Sequence, residues 1–459
     1  MDESAYLKEL ATKPLPQRIA GYLRLSGPGY MQSAMTLGGG SIASCVLMAS
    51  LLGYELLWVQ PLAIVLGFFV LAALAKQTCS TGEKPYAAFW NRLHPALAIM
   101  WGASAMIATV LWHIPQYSLT ANGVIVLAGA DGTWLAGDSG RLAIGLGVLL
   151  LACGVVFLYD QGMRGIRIYE LAVKCLVWAI VVAFGIVAFA TGIDLERFAM
   201  GITGVTFFRD RVFGTGVPPQ TIVPIVGGIA AAVGINMVFL YPYSLLRKKW
   251  GREHEELAYF DLFSGMVVPF LIATTFMMVA VANTIGPESG AIGAEVKDIR
   301  AILPVLNESL GATLSLLLIG LGMSAIGFST IITHMLASGF IGCELFGTRY
   351  EGPSRWWFSL IPAVGVVGVL IQAPWFAAVT ASSLAACLMP VAVIGFIILM
   401  NMKSYMGDAR PSGLRRFLWN TALITAVAVV TVASIQGLRG NWHTLQNHLR
   451  PAAESAEET

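Results

Sequence analysis

Tyr30-Met31-Gln32-Ser33-Ala34-Met35-Thr36-Leu37-Gly38-Gly39-Gly40-Ser41-Ile42-Ala43-Ser44-Cys45-Val46-Leu47-Met48 is an apolar stretch long enough to cross a bilayer, with three consecutive glycines at its centre. Three glycines hold helical geometry poorly and leave backbone groups unpaired in lipid. Such backbone is tolerated only where it lines a cavity inside the protein, which is how transporters build a site at the membrane midplane. Gly38, Gly39, Gly40 and Ser41 therefore mark a broken helix and the expected address of a substrate. Small residues also let helices approach closely, but three in a row exceed what that packing needs. The run carries no carboxylate.

The whole chain of 459 residues has the same character: 57% are hydrophobic and 12% charged, where a soluble domain has about a quarter charged. The expectation is an all-α, multi-pass protein of the cell membrane, with the lipid bilayer and a small-molecule or ion substrate as its partners. A net charge of +2 is too small to point to nucleic acid. Residues 1–24 are polar, with Lys8, Lys13 and Arg18 and no apolar core, and read as a cytosolic tail rather than a signal peptide. The cysteines Cys45, Cys79, Cys153, Cys175, Cys343 and Cys387 form no CxxC pair and suit packing. No phosphate loop, nucleophile elbow or metal-ligand helix motif is present, so neither an enzyme nor a cofactor is expected.

Eleven apolar segments fall near 25–52, 55–76, 95–126, 141–160, 165–192, 222–250, 256–284, 302–338, 354–374, 376–401 and 413–436. The sixth is also interrupted, around Asn236 to Tyr243, where Tyr241-Pro242-Tyr243 breaks the run. Broken spans in first and sixth place, five apart, point to an inverted repeat with the site between the two breaks. The organisation expected is a tail (1–24), repeat one (25–192), an outer loop (193–221), repeat two (222–401), an added helix (402–436) and a polar tail (437–459). The long connections 193–221 and 285–301 are lid candidates. With a cytosolic N-terminus, 20 of the 28 Lys and Arg residues fall on the inner side. That bias places the C-terminus outside. Trp58, Trp90, Trp250, Trp356, Trp357, Trp375 and Trp419 lie near span ends, as interfacial anchors do.

At this point the chain resembles the NRAMP family of proton-coupled divalent-metal transporters through most of its length. The likeness is carried by Gly27-Pro28-Gly29 before the broken helix, Gly53-Tyr54-Glu55-Leu56-Leu57-Trp58-Val59, Ala105-Met106-Ile107-Ala108-Thr109, Gly165-Ile166-Arg167-Ile168-Tyr169-Glu170, and Met402-Lys403-Ser404-Tyr405-Met406-Gly407. The resemblance implies a LeuT-like fold, a 5+5 inverted repeat plus an eleventh helix, with helices 1 and 6 broken, working by alternating access. Where the family carries Asp-Pro-Gly-Asn to bind metal, this chain has Gly38-Gly39-Gly40-Ser41. Where it carries Met-Pro-His, this chain has Val238-Phe239-Leu240 or, with a one-residue slip, Met237-Val238-Phe239. Its third-span Asp-x-x-Glu falls on Val110 and His113, and its tenth-span polar residues near Ser382 and Ser383.

Those departures shape the expected substrate. A divalent ion at the midplane wants anionic ligands, and no Asp or Glu stands mid-span; Asp160, Glu170, Asp261 and Glu308 are near ends. With Ser41 capping the second half-helix, free N–H groups and the helix dipole favour an anionic group. The favoured solute is a polar or anionic organic molecule held by Thr36, Gly38, Gly39, Gly40, Ser41, Asn236, Met237, Tyr241 and Gln116, with no protein-bound metal. The alternatives are a partly hydrated Mg or Mn ion, and a non-transporting sensor on a transporter scaffold. Met35, Met237 and Cys45 offer a further soft set for monovalent copper. His113 is either a proton-coupling group or a neutral, hydrogen-bonded histidine, and His334 reads as the latter.

Overall fold

The computed structural model describes residues 3–287, 299–350, 352–371, 387 and 389–449. Ser382, Ser383, Trp375 and most of the 285–301 connection lie outside the described residues. Among the described residues every regular element is helical. Nine helices there are long and apolar enough to cross a membrane, or ten if the bent pair Met389–Asn401 and Lys403–Ala409 is one span.

The N-terminal tail is not structureless. It forms α1 (Glu3–Ala11) and α2 (Leu15–Leu25), and Leu7 and Leu10 are buried. Glu3 fixes α1 to the body by accepting the Trp250 indole N–H at 2.9 Å, with Arg167 at 3.6 Å. Trp250 is thus a buried anchor for the tail, not an interfacial residue.

The first span consists of α3 (Pro28–Thr36) and α4 (Gly39–Leu52). Leu37 N–H closes α3 onto Ser33 at 2.8 Å, and Gly38 is extended (φ −71°, ψ 174°). The break is therefore Leu37–Gly38, while Gly39, Gly40 and Ser41 are already helical. Single spans follow: α5 (Val59–Thr81), α6 (Pro95–Leu127), α7 (Asp138–Leu158) and α8 (Gly162–Thr191).

The sixth span divides into α9 (Pro219–Ala232) and α10 (Ile235–Arg247). Its break is Val233–Gly234, both extended, and not the Asn236–Tyr243 segment expected. Pro242 sits inside α10. It removes one donor, whereas Gly234 is required by contact: a Cβ there would lie 2.7 Å from both Asn236 Oδ1 and the Trp112 ring. Next come α11 (Arg252–Ile285), with a π-helical turn at Phe263–Val267, and α12 (Ala312–Leu345).

Residues 353–369 form a short helix, Pro353–Ser359, and a 3-10 stretch, Ile361–Val369. Glycines hold that stretch against α6, since a Cβ at Gly368 would meet the Ile114 carbonyl oxygen at 2.1 Å. The chain continues through α13 (Met389–Asn401) and α14 (Gly413–Leu449). α3, α4, α9 and α10 are buried among the other spans, so both breaks open on the interior.

Candidate functional site

The two breaks meet across one small cavity, about 20 Å³ in volume. A buried water occupies on the order of 10–15 Å³ by the same measure, so the space suits one water or one ion. Met35 and Gly38 line it from the end of α3 and its break, Gly40 and Ser41 from α4, and Ala231, Gly234, Asn236 and Met237 from the sixth span. Trp112 and Gln116 of α6 and Thr330 and His334 of α12 complete the wall.

Sequence reasoning placed Gly38, Gly40, Ser41, Asn236, Met237 and Gln116 here, and all six line the cavity. Three other expected residues do not. Thr36 Oγ1 donates to the Ser33 carbonyl at 3.0 Å, within its own helix. Tyr241, one turn further along α10, donates to the Ala258 carbonyl at 3.2 Å. Gly39 faces Gln116, whose Oε1 accepts its N–H at 3.2 Å. Cys45 is buried outside the lining, which removes it from the proposed soft set.

Ser41 does not cap α4. The N-cap is Gly38, and Ser41 Oγ is buried with no hydrogen-bond partner. An anion is therefore less favoured on two counts, because Ser41 is inside the helix and the Gly39 N–H is already engaged by Gln116. The opposite helix poles also face the cavity. α3 and α9 both end at the cavity, where helix carboxyl poles carry partial negative charge, although the α3 carbonyls of Ser33, Ala34 and Met35 are taken by Leu37 N–H, Thr330 Oγ1 and Gly38 N–H.

Among the described residues, the polar lining holds no carboxylate, lysine or arginine. Ser41 Oγ, Asn236 Nδ2 and His334 Nδ1 have no partner. Met237 Sδ accepts the Gly234 N–H at 3.3 Å, holding the thioether at the break. Thr330 Oγ1 donates to the Ala34 carbonyl at 2.9 Å, pinning α12 to the last turn of α3. His334, expected to be a merely structural histidine, lines the cavity and stacks on Trp112 with centroids 6.2 Å apart. His113 lies behind it, 5.8 Å between rings, outside the lining, with both ring nitrogens unpartnered. Only the polarity of His334 inside an apolar helix could have flagged it from sequence.

The buried carboxylates lie at the start of α3, not at the cavity. Asp261 Oδ1 and Oδ2 accept the N–H groups of Gly27 and Gly29 at 2.8 and 2.6 Å. Glu170 Oε2 pairs with Lys248 Nζ at 3.1 Å, and Lys248 also donates to the Leu25 carbonyl at 2.8 Å. Lys174 donates to the Ser26 carbonyl. These four charges fasten the α2–α3 junction, and among the described residues no carboxylate lines the cavity.

At the far end of α4 a pocket of about 690 Å³ is lined by Tyr54, Glu55, Arg197, Arg211 and Asn283, among others. Glu55 accepts from Arg211 Nε and Nη2, both at 2.9 Å, which ties the 193–221 connection to the end of the first span. The same hydrogen bonding holds the Arg211 guanidinium above its ordinary value.

Residues 29–438 match the family model described as natural resistance-associated macrophage protein-like. The chain belongs to the Nramp family. This Nramp-family protein is 21% identical over 422 residues to the divalent metal cation transporter MntH of Bacillus subtilis, spanning 90% of this chain and 91% of that one. It is 20% identical to the divalent metal cation transporter MntH of Acidiphilium cryptum, over 94% and 96% of the two chains. Among solved structures it resembles the Eremococcus coleocola manganese transporter in complex with an aromatic bis-isothiourea compound. That match has a TM-score of 0.71 at 15% identity, over 90% and 86% of the chains. It also resembles MhsT in complex with L-phenylalanine, with a TM-score of 0.56 at 13% identity, over 89% and 98%. The fold is LeuT-like, and the protein is a multi-pass membrane transporter of the Nramp family.

Proposed function

We propose that this Nramp-family protein carries a divalent transition-metal ion by alternating access through the cavity between Leu37–Gly38 and Val233–Gly234. The observation that carries the reading is the size and lining of that cavity. A space of about 20 Å³ surrounded by two hydroxyls, two amides, an imidazole and two thioethers has the size of a single ion and is small for an organic solute. The relatives named as divalent metal cation transporters support the same choice.

Donor chemistry narrows the ion. Imidazole and thioether suit transition metals, while Mg ions need octahedral oxygen and give up water reluctantly. Without a carboxylate, the negative poles at the cavity are the carboxyl ends of α3 and α9, each roughly half an elementary charge and offset by the amino ends of α4 and α10. Affinity is consequently weaker than a carboxylate-bearing site would give. The test is initial-rate Mn(II) entry into proteoliposomes loaded with a metal-quenched dye. Saturable entry that Asn236→Ala abolishes supports the reading. Entry no faster than in empty liposomes overturns it.

A further inference from the structure

The connection between α8 and α9 turns an apolar face away from the protein. Val205–Phe207 is a short α-helical turn, and Phe208–Thr215 continues it in π-helical form. Val205, Phe208, Val212 and Phe213 are all exposed, Phe213 to 83% of its surface. Phe207, on the other side, is buried. Four large apolar side chains left open on one short stretch exceed the scattered exposure that a watery surface tolerates.

The stretch adjoins a surface that already faces lipid. Trp58, at the head of α5, packs on the Phe207 and Phe208 rings with centroids 5.4 and 5.2 Å away. Leu62, Val65 and Phe69 follow Trp58 at i+4, i+7 and i+11, on a single face of α5, and all three are exposed. An exposed apolar face of a spanning helix is its lipid face, and a tryptophan at the head of such a helix stands at headgroup level. The apolar stripe of α5 therefore passes through Trp58 onto Phe208.

We infer that Val205–Thr215 is an interfacial segment, seated in the lipid at the α4 end of the bundle with Val205, Phe208, Val212 and Phe213 among the upper acyl chains. Its seat is apolar rather than ionic. Asp194, Glu196 and Asp210 offset Arg197, Arg209 and Arg211 along the connection, so attraction to anionic headgroups adds little to the buried apolar area. Arg209, bound to Asp210 at 2.5 and 2.8 Å, keeps its charged head in the polar layer.

The seat also bears on the large pocket. Arg211 leaves the same stretch toward the protein, donates to Glu55 through two bonds, and lines the pocket of about 690 Å³ together with it. A backbone held in lipid on one side keeps this guanidinium over Glu55 on the other, and the bilayer thereby steadies the ion pair at the end of the first span.

The experiment uses spin labels on Val212→Cys and Phe213→Cys in phosphatidylcholine nanodiscs, with the signal of the protein lacking the added cysteine subtracted. Leu150→Cys, on the exposed face of α7, is the lipid reference, and Asp131→Cys, in the exposed α6–α7 connection, is the water reference. Power saturation should show oxygen accessibility above that of a water-soluble nickel chelate at 212, 213 and 150, and below it at 131. Exchange of the lipid for phosphatidylglycerol should change these ratios less than twofold. Chelate above oxygen at 212 and 213 overturns the lipid seat, as does low accessibility to both reagents, which would mean cover by protein. A larger response to phosphatidylglycerol overturns its apolar character. Trypsin should cut after Arg211 at least tenfold faster in the Val212→Asp, Phe213→Asp double variant than in the wild type, because the segment opens more often. Equal cutting rates overturn the steadying of Arg211. The spin-label result stands independently if the double variant fails to fold.

Discussion

Asp261 and Gly29 are locked together from both sides. The Asp261 carboxylate accepts the Gly29 N–H at 2.6 Å, and a Cβ at Gly29 would come within 2.1 Å of the Asp261 carbonyl oxygen. The same carboxylate takes the Gly27 N–H, so α11 holds the first turn of α3. A half-helix that must move in alternating access is fastened here by charge-assisted bonds that a single substitution can release. Asp261→Asn keeps the shape but replaces one acceptor with an NH₂ group and leaves Lys248 and Lys174 facing Glu170 alone. Stability should fall by about 1.5–3 kcal/mol, read as a lower melting temperature in detergent. A cysteine introduced by Ser33→Cys should be alkylated faster in that background. Unchanged melting and labelling would contradict the clamp.

The two histidines should separate in kinetics. His334 lines the cavity, whereas His113 is set behind it. His334→Ala is expected to raise the KM for Mn(II) about tenfold, the equivalent of ~1.4 kcal/mol. His113→Gln should leave KM within about threefold and act mainly on kcat, equivalent to under ~0.7 kcal/mol of binding. The reverse pattern would assign the ion contact to His113.

Asn236 offers a near-isosteric way to restore a counter-charge. It lies in the first turn of α10, where a carboxylate is favoured by the helix dipole, and it already faces the cavity. Asn236→Asp should tighten Mn(II) binding by at least tenfold, or ~1.4 kcal/mol, measured by calorimetry on purified protein. Weaker or unchanged binding would remove Asn236 from the ion's surroundings.

Glu55 and Arg211 form a two-bond pair, part-exposed at 22% and 30% of their side-chain surfaces. Either charge reversal alone should destabilise by about 0.5–1 kcal/mol, and the swapped pair Glu55→Arg with Arg211→Glu should recover most of it. Thermal unfolding of the four proteins checks the cycle. Purely additive losses would show that the pair does not couple.

How much was legible varied with the strength of the local signal. The first break could be read because three adjacent glycines exceed what close helix packing needs, although only Gly38 of the three lies in the break itself. The sixth was misplaced because Pro242 is the louder breaker in one dimension. Gly234 acts through the Trp112 ring and the Asn236 side chain, contacts that only the packed bundle supplies. Tyr241 was drawn into the site by the same error. The buried charge cluster escaped notice because Glu170 and Asp261 sit near span ends in sequence, yet the fold buries both beside the start of α3. The N-terminal tail read only as polar because its apolar residues are few, and the packing of Leu7 and Leu10 as one buried side of a helix appears only in the fold. The substrate expectation followed from Ser41 as a cap, a role the structure gives to Gly38.

The most direct test is anomalous diffraction from crystals of the protein grown with Mn(II). A single manganese peak within coordination distance of Asn236 and Ser41, beside the carboxyl ends of α3 and α9, is the expected result. A cavity without such a peak at saturating Mn(II), or one filled by organic density, would contradict it.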